Sequence, residues 1–140
     1  MGFLNSILGQ TDEQPAADAD EAGKYAILLN AGPEDGSTAN NAFGYAIELD
    51  DAGHDVELFL DGTATKWATE FAEDPDRPFS HRWRTVQSRG LLAGACGYCA
   101  DAFDATDSCK RANVDLLSDS GQHAPSVGEL ADRGYELLTI

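Results

Sequence analysis

Two cysteines with C-x-x-C spacing, Cys96 and Cys99, are the residues of this sequence best suited to chemistry. An apolar run over residues 91–95 leads into them, and a segment with helical character follows directly. If the run is a buried strand, Cys96 lies where that strand ends and a helix begins. Free backbone N–H groups at such a junction favour an anion, and a thiolate is one. Because the thiolate is the nucleophilic form of cysteine, the motif indicates sulfur chemistry.

The residues around the motif have expected roles of their own. We expect Cys96 to be the reactive thiol, with the backbone N–H groups of Gly97 and Tyr98 stabilising its anion. Cys99 is expected to resolve a persulfide or disulfide formed on Cys96. The alternative for both cysteines is simple packing, since a free cysteine behaves as a small hydrophobic residue. For the third cysteine, Cys109, we expect packing alone.

A zinc site is the second chemical interpretation of the cysteines. Its ligands would be Cys96, Cys99, Cys109 and His123. The first pair has ligand spacing but a second closely spaced pair is missing, so the sequence favours a site without metal. The glycine-containing loop at residues 30–37 lacks both the dinucleotide-binding glycine pattern and the phosphate-binding lysine, and we therefore expect no cofactor.

Strand and helix patterns alternate along the chain from residue 24. Short apolar runs predict five buried strands, at residues 25–29, 56–60, 91–95, 114–117 and 135–140. Helical patterns and short connections between them imply parallel pairing with right-handed crossovers. The predicted fold class is α/β, a three-layer α/β/α domain around a five-stranded, mostly parallel sheet. Ligands bind beyond the carboxyl ends of such strands, the edge where Cys96 is expected.

The sequence divides into an N-terminal tail, residues 1–23, and one α/β domain, residues 24–140. Residues 10–22 are rich in Asp, Glu, Ala and Gln, a composition that predicts a flexible acidic segment. Four large aromatic residues lie close together in the middle of the domain. We expect them to be core or subunit-contact residues, and large aromatics near a polar connector are often interface anchors. They are Trp67, Phe71, Phe79 and Trp83.

The charge of the chain is strongly negative, with 25 acidic against 9 basic residues and a formal net charge of −16. This field opposes binding to nucleic acid and to anionic membranes. The acidic residues are spread along the whole chain, which we interpret as adaptation to a salty cytoplasm. No basic residue precedes Lys24 and no long apolar stretch is present, so we expect a cytoplasmic protein with reduced thiols.

Several motifs together resemble the DsrE/DsrF-like family. They are the strand at residues 25–30, the Gly32-Pro33 pair, the Gly53-His54 pair before the second strand, and Cys96-Gly97-Tyr98-Cys99 after the third. The similarity extends from about residue 24 to residue 140. Two features differ from the common family pattern: residues 103–105 replace an arginine-glycine pair, and the connector at residues 74–89 is longer.

The resemblance implies a compact subunit with a flavodoxin-like winding that assembles into trimers or hexamers. It also implies that Cys96 carries sulfur as a persulfide, passing it between donor and acceptor proteins, with Cys99 matching a second cysteine of some members. We therefore interpret the chain as a protein that handles sulfane sulfur, and whether it acts as a sulfurtransferase enzyme stays open. The alternative is a non-catalytic assembly or small-ligand-binding module with structural cysteines.

Overall fold

A four-stranded, fully parallel sheet forms the centre of the domain. The structure is a computed structural model that describes residues 21–140, so all but the last three residues of the predicted flexible tail, residues 1–23, lie outside the described part. The predicted α/β class and four of the five predicted strands are confirmed. The strands are β1 (Lys24–Leu29), β2 (Asp55–Leu60), β3 (Leu92–Ala95) and β4 (Glu136–Thr139).

The strand order across the sheet is β3-β2-β1-β4. The chain adds β2 and β3 successively on one side of β1 and then returns to place β4 on the other side. This order matches the first four strands of a Rossmann-type sheet, whereas a flavodoxin-like winding places the first strand between the second and third. The expected flavodoxin-like winding is therefore wrong. Apolar runs identify strands, but the side on which each strand joins is decided by helix packing.

The expected strand at residues 114–117 is also wrong as a full strand, because it makes only an isolated bridge beside β3. Ala95 donates its N–H to the carbonyl of Asp115 at 2.8 Å, and Leu117 donates to Ala95 at 2.9 Å. Pairing ends there because the chain turns into a helix just beyond Ala95. A Cβ on Gly94 would lie 2.6 Å from the Asp115 oxygen, so the close approach of this segment requires glycine.

Helices cover both faces of the sheet. Ile27 and Leu29 point into the larger core, whereas the alternate residues Ala26 and Leu28 point into a smaller one on the opposite face. Within residues 21–140, no helix is long and apolar enough to cross a membrane. The helices are α1 (Gly36–Asp51), α2 (Trp67–Glu73), α3 (Ser80–Ser88), α4 (Gly97–Ala102), α5 (Thr106–Arg111) and α6 (Val127–Asp132), with 3-10 turns at Pro33–Asp35 and Gly62–Lys66.

The clustered aromatic residues belong to the larger core. Trp67, Phe71 and Trp83 are buried, and Phe79 packs against the same cluster. The ring centroids of Phe71 and Trp83 lie 5.2 Å apart in a stacked arrangement, and Phe43 lies at 6.1 Å from Trp67. The core interpretation is confirmed for Trp67, Phe71 and Trp83, whose burial argues against a role as subunit anchors, whereas Phe79 is partly buried.

Candidate functional site

Cys96 lies at the junction between β3 and α4. Its N–H donates to the Leu60 carbonyl at 3.0 Å, which continues the pairing of β3 with β2 for one residue. Cys96 is then the N-cap of α4, and its Sγ accepts a hydrogen bond from the Cys99 N–H at 3.3 Å. An N-cap side chain commonly satisfies an orphan donor at the third helical position. The C-x-x-C spacing therefore places Cys96 at the N-cap and Cys99 at the third helical position, where its N–H meets the Cys96 sulfur.

A second backbone group reaches the same sulfur from a distant part of the chain. The Ala124 N–H donates to Cys96 Sγ at 3.3 Å, and Cys96 is fully buried. Sequence analysis gave the anion-stabilising role to Gly97 and Tyr98, but the Gly97 N–H donates to Ser118 Oγ at 3.0 Å instead. The donors that contact the sulfur are those of Cys99 and Ala124, so the expectation is corrected for Gly97, and that for Tyr98 stays a prediction.

Residues 118–125, here called the covering segment, lie directly over the start of α4. A Cβ on Gly97 would be 1.9 Å from the Ser118 carbonyl oxygen, a distance that no side chain can occupy. The Ser118 hydroxyl also donates to the Gln122 carbonyl at 2.6 Å, which fixes the turn. Glycine at position 97 is thus what allows the covering segment to place Ala124 against Cys96.

Asp61 directly follows β2 and lies beside the second cysteine. Its Oδ1 accepts hydrogen bonds from the Gly62 N–H at 2.8 Å and from Cys99 Sγ at 3.2 Å. Burial, together with the hydrogen bonds to Cys96 and Asp61, raises the pKa of Cys99 to about 12. Cys99 is therefore a protonated thiol at neutral pH, and it donates to the carboxylate.

His123, in the covering segment, completes the cluster. Its Nε2 lies 2.8 Å from Asp61 Oδ1, and the imidazole is half exposed while the carboxylate is mostly buried. One ligand atom from each of Asp61, Cys96, Cys99 and His123 lies within 4.8 Å of the other three. The structure therefore brings together a carboxylate, an imidazole and two thiols at the carboxyl edge of the sheet.

The cluster differs from the zinc site considered from sequence by one residue. Cys109 lies elsewhere, fully buried in the larger core with its Sγ 3.9 Å from the Thr65 carbonyl. Burial raises the pKa of Cys109 to about 11. Asp61 occupies the fourth position, and sequence analysis missed it. Asp61 could have been identified from sequence, because it directly follows a predicted strand and so lies at the same edge of the sheet as Cys96.

Fold and site define a class of protein: a parallel α/β domain with paired thiols at the start of a helix, at the carboxyl edge of the sheet. The chain belongs to the DsrE/DsrF-like family, whose sequence model matches residues 23–140. The resemblance noted from the motifs is thereby confirmed. No curated protein and no solved structure matches the chain. At the level of the family, membership suggests a part in sulfur relay.

Proposed function

We propose that this protein carries sulfane sulfur as a persulfide on Cys96. The observation that supports the proposal is the pair of backbone N–H groups, from Cys99 and Ala124, that point at Cys96 Sγ. Hydrogen bonds to the charged form of a group favour that form, so these donors favour a sulfur anion. A thiolate or a persulfide anion is the species that such a site would hold.

The loading step is an exchange at sulfur. The Cys96 thiolate attacks the outer sulfur of a low-molecular-weight or protein-bound persulfide, R–S–SH. A new sulfur–sulfur bond forms on Cys96 as the donor bond breaks, and the donor leaves as the thiol R–SH once the persulfide proton has moved to it. No net oxidation occurs, because the sulfane sulfur moves between two thiols.

Release can proceed in two ways. A thiolate of an acceptor protein can take the outer sulfur and leave Cys96 as a thiolate. Alternatively, Cys99 attacks Cys96 Sγ, which forms a disulfide and expels the outer sulfur as hydrosulfide. In this second route the cysteine pair is oxidised and the sulfane sulfur reduced. The Cys99 proton has an acceptor in Asp61 Oδ1, 3.2 Å from its sulfur.

Access to Cys96 requires movement of the covering segment, because the residue is fully buried and Ala124 lies against its sulfur. A donor molecule therefore reacts with a locally opened form of the protein. The same cover would shield a bound persulfide from water and from unrelated thiols. We propose that the covering segment opens for loading and for transfer.

Intact-mass spectrometry after incubation with a persulfide donor tests the proposal. We expect an adduct of one sulfur atom that is absent in Cys96→Ser and present in the matched control Cys109→Ser. Cys99→Ser should form the adduct and hold it longer, since the disulfide-forming route is removed. If the wild type gains no sulfur, or if Cys96→Ser gains as much as the wild type, Cys96 is not the carrier.

A second candidate function is a non-catalytic assembly or small-ligand-binding module with structural cysteines. The burial of Cys96, Cys99 and Cys109 favours it. Titration with a thiol-specific reagent under native conditions separates the two functions. A sulfur carrier should show one thiol that reacts well ahead of the others and maps to Cys96, whereas a structural module should show no such difference.

A further inference from the structure

We infer that Asp61, Cys96, Cys99 and His123 form a binding site for one divalent cation of the zinc type. One ligand atom of each residue lies within 4.8 Å of the others. Zn–S bonds of about 2.3 Å and Zn–N bonds of about 2.0 Å in a tetrahedron place ligand atoms roughly 3.3 to 3.8 Å apart. Cys99 Sγ and His123 Nε2 lie at 3.2 and 2.8 Å from Asp61 Oδ1, and no pair exceeds 4.8 Å, so changes of at most about 1.5 Å in these distances would seat the ion.

The chemistry of the four donors selects the metal. Thiolates and imidazole suit Zn²⁺, whereas Mg²⁺ and Ca²⁺ prefer shells made of oxygen atoms. Four protein ligands fill a tetrahedral shell and leave no open position, as in structural zinc sites. The Cys99 and Ala124 N–H groups that reach Cys96 Sγ would serve as the outer hydrogen bonds that commonly support a metal-bound thiolate.

Without a metal ion, hydrogen bonds to Asp61 hold the ligand atoms together. The Cys99 thiol donates to Asp61 Oδ1, and the same oxygen lies at hydrogen-bond distance from the His123 ring nitrogen. Binding replaces these contacts with metal–ligand bonds: both sulfurs bind zinc as thiolates, and the proton of the Cys99 thiol goes to solvent. Imidazole and carboxylate each contribute a lone pair. The chain's net charge of −16 also raises the local concentration of cations.

The bound ion would tie together three parts of the chain. Asp61 follows β2, Cys96 and Cys99 lie at the start of α4, and His123 belongs to the covering segment. Metal would therefore hold the covering segment closed and occupy both sulfur atoms. A sulfane sulfur on Cys96 and a metal ion exclude each other. The inference goes beyond the sulfur-carrying proposal and does not depend on it.

Metal loading of the full chain under reducing conditions tests the site. Protein stripped with a chelator is incubated with Zn²⁺, or with Co²⁺ as a spectroscopic probe, and desalted before the metal content is measured. We expect one ion per chain and, with Co²⁺, the absorption of a tetrahedral thiolate complex. Mg²⁺ should not be retained and should not displace Zn²⁺.

Variants assign the ligands. Cys96→Ser and Cys99→Ser, which each leave one thiolate, should reduce the thiolate absorption and weaken retention of the ion. Asp61→Asn and His123→Ala should weaken binding by about tenfold or more. The matched controls are Cys109→Ser, which removes a buried cysteine outside the cluster, and His81→Ala, which removes an exposed histidine elsewhere. Both controls should bind as the wild type does. Equal binding by all the variants, or no retained ion in the wild type, would overturn the inference.

Proton release provides a second measurement that needs no variant. At neutral pH, Zn²⁺ binding in weakly buffered solution should release at least one proton per ion, that of the Cys99 thiol, which donates to Asp61. Release near zero would contradict coordination by Cys99 even if metal is retained. The persulfide assay uses metal-free protein, so its outcome is separate: a sulfur adduct without metal binding leaves the proposed function standing, and metal binding without an adduct leaves this site standing.

Discussion

Replacing Gly97 by alanine would drive a methyl group into the covering segment. Its Cβ would lie 1.9 Å from the Ser118 carbonyl oxygen and 2.9 Å from that of Asp119, and both are backbone atoms that cannot rotate away. The covering segment must therefore shift. A shift lengthens the hydrogen bonds from Gly97 N–H to Ser118 Oγ and from Ala124 N–H to Cys96 Sγ.

The size of the effect follows from these contacts. Each hydrogen bond is worth about 1 kcal/mol net, and leaving a buried partner unsatisfied raises the cost. Loss of the half-exposed contact between His123 and Asp61 adds little to the loss in the free energy of unfolding. Alanine recovers up to about 1 kcal/mol of helix propensity. We expect a net loss of roughly 2 kcal/mol in the free energy of unfolding, which lowers the Tm by about 6 to 12 °C.

Thermal melting and thiol alkylation measure the two consequences. If the whole loss falls on the covering segment, the free energy that favours its closed position decreases by about 2 kcal/mol, and its open population rises roughly 30-fold. Alkylation of Cys96 should accelerate by a similar factor. Gly128→Ala in α6 is the matched control, because a Cβ there meets no atom within 4 Å. That variant should be neutral or slightly stabilised, with unchanged alkylation.

The result that refutes this reasoning is an unchanged Cys96 alkylation rate in a destabilised Gly97→Ala protein. It would mean that the covering segment does not limit access to the thiol. An unchanged Tm in Gly97→Ala would show in turn that the chain absorbs the methyl group at no cost, and that the close approach to Ser118 is not maintained in solution.

Three further outcomes are expected. Because 25 acidic residues face 9 basic ones, screening should raise the Tm in molar KCl relative to dilute buffer, and a flat or falling Tm in calorimetry would contradict adaptation to salt. Light scattering in molar salt should report a multiple of 14.9 kDa, most simply a trimer, and a monomer at micromolar concentration would exclude assembly. Burial raises the pKa of Cys109 from 9.0 to about 11, so the unfolded chain loses this proton first and stability should fall between those pH values. Denaturant midpoints should show a smaller alkaline loss in Cys109→Ala, and an equal loss would refute the assignment.

The sequence alone determined the elements and the class of the fold. Apolar runs bounded by turn residues identified β1, β2, β3 and β4, because an apolar run is a local pattern. β1 and β2 are buried as predicted, whereas β4 is mostly exposed. The start of a helix after Cys96 was also predictable, because the helical pattern is local in sequence. The family could be recognised from motifs within the chain, and the family match over residues 23–140 confirms it.

Only the tertiary structure decided the strand order and the membership of the site. The segment at residues 114–117 reads as a strand, yet it makes a single bridge because β3 leaves the sheet beside it. Asp61 is 38 residues from Cys99 and 62 from His123, and no local pattern links positions so far apart. The second N–H donor to Cys96 likewise comes from 28 residues away. Local sequence placed one cysteine at the end of a strand, and long-range packing determined which groups surround its sulfur.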